Sequence, residues 1–141
     1  MEKNLEIVFP GGKRVDARIN GMTVHTDQYP EEGGEGTAPE PFEVFLASIG
    51  TCAGIYALDF CRARDIPTDD LSISMKCSFD EKTFRCSKIE LNLKLPQEFP
   101  DQYLKAVVRS MDLCSVKKHI MEPPIMELNA SKSNGNDPDV F

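Results

Sequence analysis

The stretch 44–61 is apolar almost without interruption and is bounded by Pro39 and Pro41 on one side and Ile66-Pro67 on the other. A run of this length approaches what a membrane span needs. It contains Ser48, Gly50, Thr51, Gly54 and Asp59, however, and charges crowd its flanks, which favours a helix buried on all sides in a globular core. No membrane partner is expected. The helix is predicted over 42–64. Pro41 suits its first turn, Glu43 the positive end of its dipole, and Arg62 and Arg64 the negative end. Gly50 and Gly54 each cost about 1 kcal/mol in a helix interior. Their presence asks for another backbone approaching closely, or for an ordinary helix–helix crossing.

The rest of the chain has to cover that helix. Residues 5–9 read as a strand ended by Pro10-Gly11-Gly12, and Asn20-Gly21 marks a tight hairpin between 14–19 and 22–26. The segment 29–41 has no hydrophobic period and is predicted as a loop; its Glu31, Glu32 and Glu35 alternate with glycines, as in a solvated turn. Leu71, Ile73, Met75, Cys77 and Phe79 alternate with polar residues, as do Ile89, Leu91, Leu93 and Leu95, so two half-buried strands form a hairpin. On that register Cys77 takes the apolar phase and Cys86 the polar one. Unless a bulge intervenes they point to opposite faces and cannot be bridged.

From Pro100 a second helix is expected, with Tyr103, Leu104, Val107, Val108 and Met111 as its apolar stripe, ending near Asp112-Leu113. A short helix follows Cys114 and stops at Pro123-Pro124, with a last strand at 125–128. The tail 131–141 is polar and expected to be disordered. The pattern is α+β: antiparallel sheets packed around a long central helix, in one domain over 1–130.

Composition removes several functions. The 141 residues carry a net charge of -7 with no dense basic cluster, so nucleic acid is not an expected partner. The first residues lack a signal-peptide pattern, and the chain is expected to be cytoplasmic. Its five cysteines include no CxxC pair, which argues against zinc ribbons and thioredoxin-type motifs. Cys52, Cys114 and His119 could ligate a metal by residue type. The five-residue step from Cys114 to His119 suits one helix face poorly, so neither metal nor cofactor is expected.

The thiols then have to be judged singly. Cys52, in mid-helix, is either a small buried hydrophobe or a redox nucleophile. Burial alone would raise its pKa, so reactivity requires an arginine or a positive dipole nearby. Cys114, at the start of a short helix, has free backbone N–H groups at hand. Cys61 lies about two and a half turns beyond Cys52, nearly opposite, and reads as core; Cys77 reads as packing and Cys86 as exposed.

Two segments carry a family resemblance: Ala38-Pro39-Glu40-Pro41-Phe42-Glu43-Val44-Phe45-Leu46-Ala47-Ser48-Ile49-Gly50-Thr51-Cys52 and Ser110-Met111-Asp112-Leu113-Cys114-Ser115-Val116. In their order and separation they resemble the OsmC/Ohr family of thiol-dependent hydroperoxide reductases, over roughly residues 5–128. The resemblance implies an intertwined homodimer with sites at the subunit interface. In it Cys52 is the peroxidatic thiol and Cys114 the resolving one, joined in a disulfide that an external dithiol reductant opens. The implied role is reduction of organic hydroperoxides in stress defence. A redox-sensing or small-ligand-binding dimer and a purely structural module are the alternatives. The chain departs from the Ohr branch at Phe42, where that branch has a glutamate ten residues before its first cysteine. Glu43, nine residues before, takes its place as in a looser OsmC-like branch. Arg18 is the expected arginine partner, with Arg14 the fallback.

Overall fold

The structure, a computed structural model, describes residues 1–132, and the chain divides into two compact units. The first comprises residues 1–45 together with the chain from Ile125 onward. Its sheet has the order β1-β2-β3, with β1 at Glu6–Gly11, β2 at Arg14–Ile19 and β3 at Met22–Val24, all antiparallel. Between β2 and β3, Asn20 and Gly21 have φ of +49° and +77°, the pair of left-handed conformations that a type I′ hairpin requires. β1 runs through Pro10 to Gly11 rather than stopping at Phe9. An irregularity in its pairing between Val8 and Gly11 takes up the proline, which has no N–H to give a regular ladder.

The loop after β3 is more ordered than its composition suggests. Asp27 is buried, and its carboxylate accepts hydrogen bonds from the backbone N–H of Thr37 (3.0 Å), the Thr37 hydroxyl (2.7 Å) and the N–H of Gln28 (2.8 Å). The Thr37 N–H and hydroxyl hold the Asp27 pKa down to about 2. At Gly34 a Cβ would lie 1.9 Å from the carbonyl oxygen of Gln28, so only glycine lets the loop fold back on itself. The expected strand at 125–128 does not form. A strand exists through its ladder, and here Ile125, Met126 and Leu128 are 91, 86 and 98 % exposed with no strand assigned. Most of the tail expected to be disordered lies outside the described residues.

Helix α1, Pro41–Arg62, starts in the first unit and continues in the second, which spans residues 46–124. At its start the Glu43 carboxylate accepts the backbone N–H of Glu40 at 2.9 Å, half of a capping box. At its end Asp65 takes a left-handed conformation (φ +53°) and the N–H of Ile66 returns to the carbonyl of Cys61, as in a Schellman stop.

By length and composition α1 could cross a membrane, but Ile49, Ala53, Ala57, Phe60 and Cys61 form a buried stripe along it. Burial on all sides is not what the chain shows. Thr51, Ile55 and Asp59, on the opposite face, are exposed. Nor does another backbone approach Gly50 and Gly54. A Cβ there would meet the side chains of Met75 (3.8 Å) and Ile73 (3.6 Å) at ordinary contact distance.

Those side chains belong to β4, Ser72–Phe79, which pairs antiparallel with β5, Cys86–Lys94. The register runs evenly from Ser72 opposite Lys94 to Ser78 opposite Lys88, then shifts so that Phe79 faces Cys86. One extra residue, Ser87, makes a bulge. After a 3-10 turn at Asp101–Tyr103 comes α2, Leu104–Met111, and then α3, Ser115–Met121. Ala57, Phe60, Cys61, Phe99 and Val107 form the core of this unit, with Leu71, Leu93, Leu95, Tyr103 and Met111 packed against it. Arg64 lays its guanidinium 3.6 Å over the Phe60 ring and closes that end.

Val107 is fully buried and its side chain packs within this apolar cluster. Val107→Ala is therefore expected to lower stability by about 2–3 kcal/mol, the loss of two methyl groups plus a residual cavity. Urea denaturation measures it; a loss under about 1 kcal/mol would place Val107 outside the cooperative core.

Candidate active site

Cys52 lies on the part of α1 that belongs to the second unit, half-buried, one residue before the buried Ala53. Across from it the chain leaves α2 and restarts as α3. Cys114 is the N-cap residue of that helix and its sulfur accepts the backbone N–H of Lys117 at 3.4 Å. A thiol is a weak acceptor at a position that usually prefers Ser, Thr, Asp or Asn. The Ser115 N–H stays available to another acceptor, and the Val116 N–H is shared with one. Cys52 faces this first turn: its Sγ lies 3.7 Å from the Ser115 hydroxyl, and the nearby N–H groups of Val116 and Ser115 favour its thiolate.

These contacts decide the ionisation. Burial pushes the Cys52 thiol up, but the Val116 N–H, the Cys114 thiol, the Ser115 hydroxyl and the Ser115 N–H together outweigh it and bring the pKa down to about 7. Cys114, fully buried, moves the other way, through burial and through the neighbouring Cys52, which favours the protonated form. One thiolate beside one thiol is the arrangement a nucleophile and its resolver need. All five cysteines are free, and Cys61, buried in the core, is pushed up by its burial.

The cavity beside Cys114 has a volume of about 590 Å³ and is walled largely by apolar side chains, among them Ala53, Leu91, Leu93, Val108 and Met111. Asp112 and Lys117 stand on its lining and pair with each other, so the charge there is balanced.

Glu43, Arg18 and Arg14 lie in the first unit and have partners there. Glu43 accepts the Tyr29 hydroxyl at 2.9 and 3.0 Å as well as the Glu40 N–H. Arg18 pairs with Glu6 at 3.2 Å, and Arg14 lies 3.8 Å from Asp16, whose main partner is His25 at 2.8 Å. The structure thus brings Cys52 and Cys114 together and gives Glu43 and Arg18 separate partners. His119 faces the carbonyl of Ser115 within its own helix.

Ser115 and the Val116 N–H are the functional groups that sequence reasoning left unassigned. The signal was present: a helix that begins directly after Cys114 must have unpaired N–H groups on its first residues. What the sequence lacked was the direction in which they point.

The rate of Cys52 alkylation should rise with pH around a midpoint near 7, because a depressed pKa leaves the thiolate populated above that value and lost below it. Ser115→Ala should move the midpoint upward. Iodoacetamide kinetics with peptide-level readout checks both; a midpoint at the ordinary thiol value of about 8.5 would mean the N–H groups do not stabilise the thiolate.

The OsmC-like protein family matches residues 34–129, which include both cysteines and the helices that carry them. Curated protein sequences give no significant match. Among solved structures, a protein from Psychrobacter arcticus superposes with a TM-score of 0.71 at 19% identity, covering 84% of this chain and 87% of that one. An OsmC-like protein from Mycoplasma pneumoniae gives 0.69 at 13% identity, covering 87% and 89%. An organic hydroperoxide resistance protein OsmC from Legionella pneumophila gives 0.54 at 17% identity, covering 85% and 89%. At these identities the likeness is one of fold, and it agrees with the α+β arrangement of antiparallel sheets and a long helix. The chain belongs to the OsmC-like protein family.

Proposed function

We propose that this protein is a thiol-dependent peroxidase that reduces organic hydroperoxides, with Cys52 as nucleophile and Cys114 as resolving thiol. The observation that carries the reading is the asymmetric pair: a Cys52 thiol brought to a pKa of about 7 by the first turn of α3, next to a buried Cys114 thiol kept protonated. The Cys52 thiolate attacks the terminal oxygen of the hydroperoxide, the O–O bond breaks, and the alkoxide leaves as an alcohol after taking a proton. Cys52 becomes a sulfenic acid. Cys114 then attacks the oxidised sulfur, the S–O bond breaks, water leaves, and a Cys52–Cys114 disulfide remains for an external dithiol to reduce.

The apolar cavity, lined by Cys114 beside Cys52, supports an organic substrate over hydrogen peroxide, since burying an alkyl chain contributes about 0.8 kcal/mol per CH2. The name of the Legionella structure, an organic hydroperoxide resistance protein, points the same way. We further read the chain as a cytoplasmic homodimer. The apolar Ile7, Phe9 and Met22 on the first sheet and Ile125, Met126 and Leu128 after it are exposed in the single chain, a surface that suits a second copy.

A steady-state assay with a dithiol reductant, comparing cumene hydroperoxide with hydrogen peroxide, tests the function. Cys52→Ser should abolish turnover, whereas Cys114→Ser should complete one oxidation and stall as a sulfenic acid or mixed disulfide. In the native protein one equivalent of organic hydroperoxide should link Cys52 to Cys114 and leave Cys61 and Cys77 reduced. The second reading, a redox sensor, rests on Glu43 and Arg18 having separate partners. It predicts stoichiometric disulfide formation with no sustained turnover.

Glu43 and Arg18 enter the proposal as the carboxylate and guanidinium that orient the peroxide. The Arg18–Glu6 pair is 59 % and 49 % exposed, and pairs of that kind contribute about 0–1 kcal/mol, so releasing Arg18 costs little. Arg18→Ala is expected to slow peroxide attack at least about tenfold, some 1.4 kcal/mol of transition-state stabilisation. Stopped-flow oxidation measures it; an unchanged rate would assign activation to the first turn of α3 alone.

A further inference from the structure

Cys77 and Cys86 have no part in the site described above. Regular alternation would put them on opposite faces of their hairpin, and the bulge at Ser87 reverses that. With Ser78 opposite Lys88, an even ladder would place Ser87 opposite Phe79 and Cys86 opposite Asp80. The extra residue instead moves Cys86 opposite Phe79. Cys77 and Phe79 are two apart on one strand and share a face, so Cys86 now shares it with them. Both cysteines are half-buried and free. The Cys86 thiol donates to the Lys88 carbonyl at 3.6 Å, and burial followed by the adjoining Cys86 pushes the Cys77 thiol up.

The pair also sits where the hairpin turns. Asp80 Oδ1 gathers the N–H groups of Lys82 and Thr83 and the Thr83 hydroxyl, and the Asp80 N–H donates to the Arg85 carbonyl, so the loop is closed just beyond the two sulfurs. Phe84, with φ of +56° and 83 % exposed, carries the turn. The strand ends are thereby held together while both thiols remain reduced.

We propose that Cys77 and Cys86 are a second redox pair, which closes to an intramolecular disulfide by exchange with a small external disulfide of the oxidised-glutathione type. The thiolate of Cys86, at the loop end of its strand, attacks one sulfur of the external disulfide. A mixed disulfide forms and one small thiolate departs. Cys77 then loses its proton to solvent and attacks the Cys86 sulfur, the mixed disulfide breaks, and the second small thiol leaves. Two cysteines are oxidised by two electrons and one external disulfide is reduced to two thiols. Proximity sets the outcome, because the neighbouring thiol attacks within the same hairpin and needs no second collision. The bond staples β4 to β5 at the loop end. β5 also supplies Ile89, Leu91 and Leu93 to the cavity beside Cys114, so the staple ties down the end of a strand that forms one wall of that cavity.

The pair does not depend on the peroxidase reading, and the test removes that chemistry. The full chain carrying Cys52→Ser and Cys114→Ser is incubated with oxidised glutathione, acid-quenched, alkylated and mapped by peptide mass. The expected result is loss of two free thiols per chain as a Cys77–Cys86 disulfide without lasting glutathione adduct, reversed by excess reduced glutathione. Adding Cys77→Ser should trap a glutathione adduct on Cys86. The proposal is overturned if a glutathione adduct persists on Cys86 while Cys77 stays free, or if the bridge forms between chains. It is equally overturned if both thiols stay reduced in protein whose circular dichroism shows it folded.

Discussion

A thiol taken out of water keeps its proton unless hydrogen-bond donors replace the water that would have solvated its anion. In this chain the donors are the N–H groups of Ser115 and Val116 and the Ser115 hydroxyl, and the candidate site depends on their meeting Cys52. The contact requires that α3 begin at Ser115 and that its first turn be left open by a weak cap. Cys114 provides that weak cap. Being buried, it also keeps its own proton, so a single residue both caps the helix and holds the second thiol in reserve.

The packing of the second unit determines where α3 starts. α2 is anchored through Val107 to the cluster that includes Ala57, Phe60 and Cys61 of α1, and its C-terminal turn delivers Cys114. The apolar stripe of α2 is shared out on a physical basis. Val107 turns into the core, while Leu104 and Val108, about half exposed, face the cavity. A helix stripe broader than the core needs is thus split between stability and a binding wall.

β-sheet parity has a comparable influence. Insertion of one residue into one strand exchanges the faces of every side chain beyond it, and at Ser87 this turns two thiols that alternation would separate into neighbours. The same hairpin covers Gly50 and Gly54 of α1 with Ile73 and Met75. Side chains rather than backbone lie nearest the two glycines, at distances that a Cβ would tolerate.

The strong periodic signals were legible in the residues alone. Residues 44–61 gave a long helix, Asn20-Gly21 gave a type I′ turn that both φ values bear out, and the alternating segments gave β4 and β5. Each is a local property of backbone sterics and apolar spacing. Which cysteines the fold would bring together followed only by resemblance, since the contact between Cys52 and Ser115 spans 63 positions. Composition likewise gave no hint that Asp27 would stitch the glycine-rich loop through Thr37, nor that 125–128 would have no ladder. The bulge at Ser87, the direction of the α3 N–H groups and the open face of α1 were decided by tertiary structure. They depend on how far apart two packed elements settle and which atoms then compete for the same donors, and neither is written in the order of residues along one element.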